Sequence, residues 1–446
     1  MVLDIQLVRE NPEIVKDSQK RRFAPVEAVD KVLELDAAWR KLRFDLDQAK
    51  KELGKTQKEI GQIMKNKGDA SAQLATKAKI AETIAELEKK ESQAKKATDE
   101  ELSKLGNIVH PSVPVSNDEA ENGIYVMHGE AVKNEKGYHH HELLAMIDGY
   151  DQDRGTKVAG HRAYFLRGWG VKLNQALINY GLNFLDQRGY VPTQTPYFMK
   201  KSLMGKTCQL SDFEESLYKI APDPSMDPDD CKEEEVMIAT SEQPISAFYS
   251  GEWLFPKDLP VKFAGYSTNF RKEAGAHGKD TWGIFRVHQF EKIEQFVITE
   301  PDKSWEMHEQ MLKVSEEFYQ SLGFSYRVVN IVSGALNNAA AKKYDLEAWF
   351  PVRGEYKELV SCSNCTDYQS RGLEVYYGVK KDKKTPFVHM LNSTLVATER
   401  CLCCLLENCQ TEKGITIPEV LRPYLGGVDF IPFTKPCPKR AAEKKK

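Results

Sequence analysis

The sequence predicts a chain of mixed α and β structure, in which a helical coiled-coil hairpin precedes a domain that contains paired β-strands. The hairpin is indicated by apolar residues that recur at steps of three and four through residues 29–105. The paired strands are indicated by the stretch from Phe263 to Phe296, where alternating side chains flank a glycine-bearing loop. The two patterns lie far apart in the chain, which predicts at least two structural units.

Composition places the chain among ordinary globular proteins. It has 446 residues, 41% of them hydrophobic, which is enough for two or three domains with a large buried core. The net charge of −3 conceals an excess of lysine and arginine in the first hundred residues and the last ten, and such a basic surface can bind nucleic acid. We find neither a signal-peptide pattern at residues 1–15 nor a stretch of roughly 20 apolar residues. We therefore expect a cytoplasmic protein with no membrane partner.

The predicted hairpin consists of two long helices. The first runs from about Val29 to Lys67 and ends in a break at Asn66–Ala70, and the second runs from about Ser71 to Leu105. The apolar positions expected at the seam are Val32, Leu35, Trp39, Leu42, Leu46, Ala49, Leu53, Ile60 and Ile63 on the first helix, and Leu74, Ala78, Ala81, Ile84, Leu87, Ala94 and Leu102 on the second. An isolated hairpin of this kind is most often a spacer or a dimerisation device.

Basic residues along the first helix leave a second interpretation open. They are Arg40, Lys41, Arg43, Lys50, Lys51, Lys55 and Lys58. They suit either a solvated helix face or contacts with nucleic-acid phosphates. Residues 106–122 have the composition of a linker, so we place an N-terminal domain at 1–115, with its arm at about 29–105, a second domain at 116–435 and a basic tail at 436–446.

The stretch Phe263–Phe296 carries an unusual set of polar side chains. Arg271 and Glu273 share one face of the first predicted strand. One face of the second carries Arg286, His288, Phe290, Lys292, Glu294 and Phe296, with Val287, Ile293 and Val297 opposite. An ATP site needs such a set, because arginines bind phosphate oxygens bidentately and an aromatic ring covers the base. The alternative is an exposed, salt-bridged sheet face.

Four segments together resemble one enzyme family. Motif 2 of the class II aminoacyl-tRNA synthetases resembles the segments FRKEAG and RVHQFEKIEQF (residues 270–275 and 286–296) with the loop between them. The particular residues in these two segments resemble those of the seryl-tRNA synthetases. RGYVPTQTPYF (188–198) resembles motif 1, and LNSTLVATERCLCCLLEN (391–408), a strand running into a helix, resembles motif 3. Residues 239–242 resemble the family's TxE segment, with Thr240 and Glu242 on one predicted strand face. The resemblance extends over essentially the whole chain.

This resemblance implies a fold and an activity. The implied fold is α+β/α-β, with the coiled-coil hairpin followed by a class II catalytic domain whose mainly antiparallel sheet is flanked by helices. The implied activity is that of a serine–tRNA ligase, which activates L-serine with ATP and transfers the seryl group to the 3′ end of tRNA(Ser), with tRNA(Sec) as a further acceptor. The family reaches tRNA(Ser) with the hairpin and forms a homodimer through motif 1, so we expect both partners here.

The resemblance also assigns residues to roles. It implies catalytic roles for Arg271, Glu273 and Arg400, and serine binding by Thr240, Glu242, Arg271, Glu294, Asn392 and Thr394. It implies ATP binding by Arg271, Lys272, Glu273, Arg286, Val287, His288, Gln289, Phe290, Glu358, Leu359, Val360, Ser361 and Arg400. Glu358 and Ser361 offer the hard oxygen ligands that suit Mg²⁺ bound with ATP.

Two further groups of residues could suggest a structural metal. The chain has nine cysteines, which include Cys362 and Cys365 as a CxxC pair and four more at 401, 403, 404 and 409. A zinc site needs a second pair at suitable spacing, whereas the later cysteines lie in an apolar helical run, so we expect buried thiols and no structural zinc. Three adjacent histidines, 139–141, point in different directions on any regular element, so we expect them at the surface.

Two other functional classes are weighed against a synthetase. A synthetase-like paralogue kept as a binding or regulatory module would have no need of intact Arg271, Glu294 and Arg400. A coiled-coil scaffold protein would have no use for the polar set on the predicted strand face. Both classes are therefore disfavoured, and a test of serine activation separates them from an active ligase.

Overall fold

A computed structural model describes residues 3–208, 216–221, 233–273, 278–379 and 386–438. The chain divides into two compact units, one up to Ile108 and the other from Val109 onward. The domain boundary at 115/116 stays a prediction, and most of the tail predicted at 436–446 lies outside the described residues. Within the part of the chain that is described, no helix is both long enough and apolar enough to span a membrane.

The described residues form helices and strands throughout both units. The helices are α1 (Ile5–Glu10), α2 (Pro12–Arg21), α3 (Glu27–Lys65), α4 (Ser71–Leu102), α5 (His140–Met146), α6 (Gln152–Ala159), α7 (Gly168–Asp186), α8 (Lys201–Thr207), α9 (Glu242–Ser246), α10 (Ser304–Ser321), α11 (Tyr368–Leu373) and α12 (Thr398–Cys409). The strands are β1 (Gly123–His128), β2 (Tyr150–Asp151), β3 (Phe165–Leu166), β4 (Val191–Gln194), β5 (Phe198–Lys200), β6 (Glu235–Met237), β7 (Trp253–Leu254), β8 (Val261–Phe270), β9 (Gln289–Thr299), β10 (Tyr326–Asn330), β11 (Lys342–Phe350), β12 (Glu355–Asn364), β13 (Tyr376–Tyr377), β14 (His389–Ala397), β15 (Gly414–Thr416) and β16 (Phe430–Pro432).

The N-terminal unit is dominated by α3 and α4, which confirm the predicted hairpin. The two helices contain 39 and 32 residues, and the turn between them includes Lys67 at a φ of +53°. Leu46, Ile80 and Ile84 form the buried centre of the seam between them. Hydrogen bonds also cross the seam, since Trp39 Nε1 donates to Glu91 Oε1 at 2.9 Å. The hairpin is therefore held by apolar packing and by polar contacts along its edges.

The seam of α4 differs from the predicted one. Ile80 is buried although it was not expected at the seam, whereas Leu74, Ala78 and Ala81 are exposed. Most of the less exposed positions follow heptad steps: Gln73, Lys77, Ile80, Ile84, Leu87, Glu91, Ala94 and Thr98. The prediction selected residues by apolar type. Alanine favours helix on any face, so its presence does not identify the buried side.

Eight strands of the described residues form one sheet in the order β1-β10-β11-β12-β14-β9-β8-β4. All neighbouring pairs in it are antiparallel except β4 and β8, which confirms the predicted, mainly antiparallel sheet. Ile293 and Val297 of β9 lie in the main core, together with Leu177 of α7 and Phe318 of α10. Alternate residues of β9 face the other way, and there they line a pocket.

The cysteines lie where the sequence predicted. Cys362, Cys365 and three cysteines of α12 (401, 403 and 404) are buried thiols, and Cys409 is partly buried. Burial raises the pKa of Cys409 to about 12, so this thiol stays protonated near neutral pH. Among the described residues, no group of three or more His, Cys, Asp or Glu side chains is arranged to hold a metal ion. The absence of structural zinc in the purified protein stays a prediction.

The prediction that residues 139–141 lie at the surface is wrong. His140 is only 2% exposed, and its Nε2 donates to the carbonyl oxygen of Trp282 at 3.0 Å. The Nδ1 atoms of His139 and His140 lie 3.5 and 3.6 Å from Glu407 Oε1. The start of α5 therefore packs against the end of α12. Glu407 lies more than 260 positions away in the chain, which is why local pattern did not reveal this contact.

Candidate active site

One pocket of about 350 Å³ lies over the centre of the large sheet. Its floor consists of β9, β14 and β12, which are neighbours in the sheet. Glu294 of β9 is paired in register with Thr394 of β14, and Ser363 of β12 with Asn392 of β14. Side chains of register partners share one face of a sheet, so residues from distant segments of the chain meet here.

Most residues predicted from the sequence line this pocket: Thr240, Glu242, Arg271, Glu273, Arg286, Val287, Phe290, Glu294, Glu358, Leu359, Ser361, Asn392, Thr394 and Arg400. Four of the predicted residues lie elsewhere. Lys272 is exposed, Val360 is buried in the core, and His288 and Gln289 line a neighbouring cavity. Ligand roles for all of these residues stay predictions.

The predicted strand positions around the motif 2 loop are wrong. The first strand ends at Phe270, before Arg271 and Glu273, and the second begins at Gln289, after Arg286. The backbone N–H of Arg271 still donates to His288 O at 2.8 Å, and Glu273 has a φ of +48°. Beyond this contact the chain turns, and Arg286 Nη1 lies 3.1 Å from Glu273 Oε2. The three side chains reach the pocket from the ends of strands.

The TxE segment is likewise not a strand. Thr240 and Ser241 lie in a turn, and Glu242 is the first residue of α9. This turn surrounds one oxygen of Glu294: Oε2 accepts from Thr240 Oγ1 at 2.9 Å, from Ser241 Oγ at 2.5 Å and from the backbone N–H of Glu242 at 3.0 Å. The first N–H groups of a helix have no partner within it, which suits them to hold a carboxylate. Ser241 was not among the residues predicted from the sequence.

The other oxygen of Glu294 forms a buried ion pair. Lys292 Nζ lies 2.9 Å from Glu294 Oε1, and the two side chains are only 8% and 3% exposed. Lys292 Nζ also donates to Thr240 Oγ1 at 2.6 Å. Burial by itself would raise the pKa of Glu294, but Lys292 and the hydroxyl donors outweigh it, and the pKa lies below its ordinary value. Glu294 is therefore a carboxylate near neutral pH.

Glu242 is the second carboxyl group at this end of the pocket. Its Oε1 accepts from Gln369 Nε2 at 2.7 Å and from Asn392 Nδ2 at 2.9 Å. Burial, with a further contribution from the charge of Glu294, raises the pKa of Glu242 to about 7. Lys292 is already paired with Glu294, and the charges of Lys292 and Arg271 offset the effect of burial on Glu242 only in part, so a further cation beside Glu242 would be stabilised. This end of the pocket is suited to an ammonium group.

The opposite end of the pocket is rich in guanidinium groups. Arg271 lies 5.2 Å from the centre of the Phe290 ring, and its Nε donates to Ala239 O at 3.1 Å. Arg400, the third residue of α12, lies 3.6 Å from Glu358 Oε2. Together with Arg286 these side chains present positive charge around the half-buried ring of Phe290. Such a combination suits a polyanion attached to a flat ring.

A β-bulge brings Glu358 and Ser361 to the same side of β12. Residues three apart on a regular strand point to opposite faces, but the register with β11 shifts between Leu346, which pairs with Val360, and Glu347, which pairs with Glu358. The Glu358 side chain is 48% exposed. Desolvation opposes its ionisation, yet the positive charge of Arg400 holds its pKa below the ordinary value. A carboxylate and a hydroxyl on one face fit a Mg²⁺ ion that phosphates would also ligate.

Comparisons with known proteins place the whole chain in one group. Residues 218–409 match the tRNA synthetase class II core domain (G, H, P, S and T), and residues 2–109 match the seryl-tRNA synthetase N-terminal domain. The cytoplasmic serine–tRNA ligase of Schizosaccharomyces pombe is 55% identical over 456 residues, covering 100% of this chain and 99% of the relative. That of Saccharomyces cerevisiae is 55% identical over 452 residues, covering 98% and 96%.

Solved structures agree with these relatives. The cytoplasmic serine–tRNA ligase of Naegleria fowleri, in complex with AMP, matches with a TM-score of 0.84 and 48% identity, covering 98% of this chain and 100% of that chain. The seryl-tRNA synthetase of Pyrococcus horikoshii, complexed with ATP, matches with a TM-score of 0.88 and 39% identity, covering 97% and 100%. Both similarities span the hairpin and the large sheet.

Replacing Lys292 with methionine should destabilise the protein, because it leaves the buried Glu294 carboxylate without its cation. We expect a loss of about 3 kcal/mol, seen as a fall of about 5 °C in melting temperature by calorimetry. The double variant Lys292→Met/Glu294→Gln should recover part of this loss, since no unpaired charge remains. Lys272→Met removes an exposed lysine and serves as the control. Equal melting temperatures for Lys292→Met and the parent would contradict the ion-pair assignment.

Proposed function

Because the chain belongs to the seryl-tRNA synthetase family of class II, we propose that the pocket over β9, β14 and β12 is where L-serine reacts with ATP. The chain is a ligase that joins serine to tRNA, in two steps that pass through seryl-adenylate. One observation carries the assignment of the pocket. It has a carboxylate end suited to an amino acid's ammonium group and a guanidinium end suited to a nucleoside triphosphate.

Serine occupies the carboxylate end in this proposal. Its ammonium group pairs with Glu242, whose raised pKa indicates a carboxyl group that lacks a full counter-charge. Glu294 contributes by holding Thr240 and the start of α9 in place, because its oxygens already accept four hydrogen bonds. Asn392 and Thr394 stand beside it for the serine hydroxyl. A buried polar pocket of this kind rejects alanine, since its own groups would be left without partners.

ATP occupies the guanidinium end. Phe290 stacks on adenine, Glu273 lies on the adenine side, and Arg286 and Arg400 hold the terminal phosphates. Arg271 stands between the two ends, where it reaches both the α-phosphate and the serine carboxylate. Mg²⁺, held by Glu358 and Ser361 together with the phosphates, would neutralise charge on the leaving group.

The chemistry needs positioning and charge stabilisation more than covalent work by the protein. A carboxylate oxygen of serine attacks the α-phosphorus, a new P–O bond forms, and the bond to the bridging oxygen breaks as pyrophosphate leaves. Negative charge on the α-phosphate oxygens increases in the transition state, and Arg271 is placed to stabilise it. The 3′-terminal ribose hydroxyl of tRNA then takes the seryl group and releases AMP.

The hairpin supplies the tRNA contact in this proposal. Among the described residues, Lys51, Lys55 and Lys58 are exposed and form no ion pair, whereas Lys50 pairs with Glu88 at 2.8 Å. Unpaired lysines on one helix are available to phosphates, which suits recognition of tRNA(Ser) by shape. The proposal has three further parts. The chain forms a homodimer through the motif 1 segment, it works in the cytoplasm, as the names of the relatives state for them, and it also charges tRNA(Sec).

Serine-dependent ATP–pyrophosphate exchange tests the pocket assignment. We expect exchange with serine and much less with threonine, alanine or glycine. Arg271→Ala should lower the rate by a hundredfold or more, on the order of 3 kcal/mol of lost transition-state stabilisation. Lys257→Ala, which removes an exposed positive side chain outside the pocket, is the control. Near-parental exchange by Arg271→Ala would overturn the assignment, and no exchange with any amino acid would favour a paralogue without activity.

Serine binding should depend on pH through Glu242. A raised pKa of about 7 means that the group is mainly neutral at pH 6 and mainly a carboxylate at pH 8. The carboxylate attracts the ammonium group, so kcat/KM for serine should rise about tenfold between these values, while KM for ATP changes little. Glu242→Gln should bind serine weakly and lose this pH dependence. A parental pH profile in Glu242→Gln would assign the dependence to another group.

Charge reversal on the hairpin should separate tRNA charging from serine activation. In the triple variant Lys51→Glu/Lys55→Glu/Lys58→Glu we expect parental exchange activity and a KM for tRNA(Ser) raised tenfold or more, with the defect growing as salt is added. Reversal of three exposed lysines of the other unit, Lys257, Lys313 and Lys413, gives a control of equal net charge. Parental tRNA kinetics in the hairpin variant would show that the hairpin is a spacer. Running the assay with tRNA(Sec) tests the second acceptor.

A further inference from the structure

Strand β14 ends before its neighbour β9 does. The last register pair between them is Ala397 with Lys292, and the chain then turns into α12. On the opposite edge of β9, the pairing with β8 continues to Glu291, Phe290 and Gln289. Within the described part of the chain, residues 289–291 of β9 therefore have no strand beside them on the β14 side. Phe290, in the middle of this segment, is the ring assigned above to adenine.

The side chain of Glu399 occupies the place of the missing strand. Glu399 is 2% exposed and is the second residue of α12. Its oxygens accept from the backbone N–H of Glu291, at 3.0 Å for Oε2 and 3.3 Å for Oε1. The hydroxyl of Thr398 donates to Glu291 O at 3.4 Å and lies 3.1 Å from Glu399 Oε2. The first turn of α12 thus binds the N–H and the C=O of one residue, as a neighbouring strand would.

A tyrosine completes this arrangement from a third segment. The Tyr164 hydroxyl lies 3.0 Å from Glu399 Oε1 and 3.2 Å from Gln289 O. Burial, followed by the charge of Glu291, raises the pKa of Glu399 well above its ordinary value. The neutral carboxyl group can donate its proton to the tyrosine oxygen, which leaves the tyrosine O–H for Gln289 O. Both backbone neighbours of Phe290 are then held by α12 and Tyr164.

We propose that Glu399 is a positioning residue for ATP, which holds Phe290 and Arg400 in a fixed relation by joining the first turn of α12 to the end of β9. Arg400 follows Glu399 in the chain, so the same turn that binds the backbone of Glu291 orients its guanidinium. Glu399 need not contact ATP to do this. The inference rests on the proposed function, in which Phe290 and Arg400 contact adenine and the terminal phosphates.

The test uses four substitutions in the full chain, assayed by serine-dependent ATP–pyrophosphate exchange. Glu399→Ala removes the carboxyl group and should raise KM for ATP and lower kcat by about tenfold each, with KM for serine within twofold of the parent. Glu399→Gln keeps an acceptor for the Glu291 N–H and a donor for Tyr164, so it should be near parental at every pH. Glu399→Asp, whose carboxyl group is one methylene shorter, should show the ATP defect at reduced size. Tyr164→Phe should show a smaller defect of the same kind.

These outcomes exclude a merely structural role. If Glu399→Ala does not fold, Glu399→Asp and Tyr164→Phe carry the test, with melting temperature recorded for each variant. Parental ATP kinetics in Glu399→Asp, equal defects for serine and ATP, or a Gln variant as impaired as the Asp variant would overturn the proposal. Arg400→Ala separates it from the proposed function. If Arg400→Ala keeps parental ATP kinetics, the assignment of the pocket itself has failed. If Arg400→Ala is impaired but the Glu399 variants keep parental ATP kinetics, only the inference about Glu399 fails.

Discussion

The buried carboxylate of Glu294 is the constraint on which the serine end of the pocket depends. A charge with 3% side-chain exposure is tolerated only where it is paired and hydrogen-bonded. Glu294 meets this requirement with a lysine from its own strand and with donors from the turn at residues 240–242. The same contacts fix where α9 begins, and the start of α9 places Glu242. One electrostatic requirement thus orders two segments that are more than 50 residues apart.

The guanidinium end of the pocket is assembled differently, because its three arginines lie at the ends of strands or in the first turn of a helix. Arg271 follows the end of β8, Arg286 precedes the start of β9, and Arg400 lies in the first turn of α12. Side chains at such ends can converge from several directions, whereas those within a strand alternate between its two faces. At such ends, the backbone N–H and C=O groups are not hydrogen-bonded to a neighbouring strand and need other partners. Glu399 and Tyr164 supply those partners for the end of β9.

Local sequence pattern determined those parts of the protein that depend on near neighbours. The alternation along β9, with Phe290, Lys292 and Glu294 on one face and Ile293 and Val297 on the other, follows from the period of a strand. The hairpin follows in the same way from the recurrence of apolar residues along two helices. The motif segments identified most of the residues that line the pocket, because each motif lies within a short stretch of chain.

Tertiary contacts decided what the pattern could not show. Ser241 and Glu399 carry no signal of their own in the sequence, since their partners lie 53 and 108 positions away. The bulge in β12, which places Glu358 and Ser361 on one face, depends on the register with β11. His140 is buried because Glu407 and Trp282 come to it from distant segments. The sequence by itself determined which side chains are available and the local period that orients them. Which of them meet is a property of long-range pairing, where burial and unsatisfied polar groups select the partners.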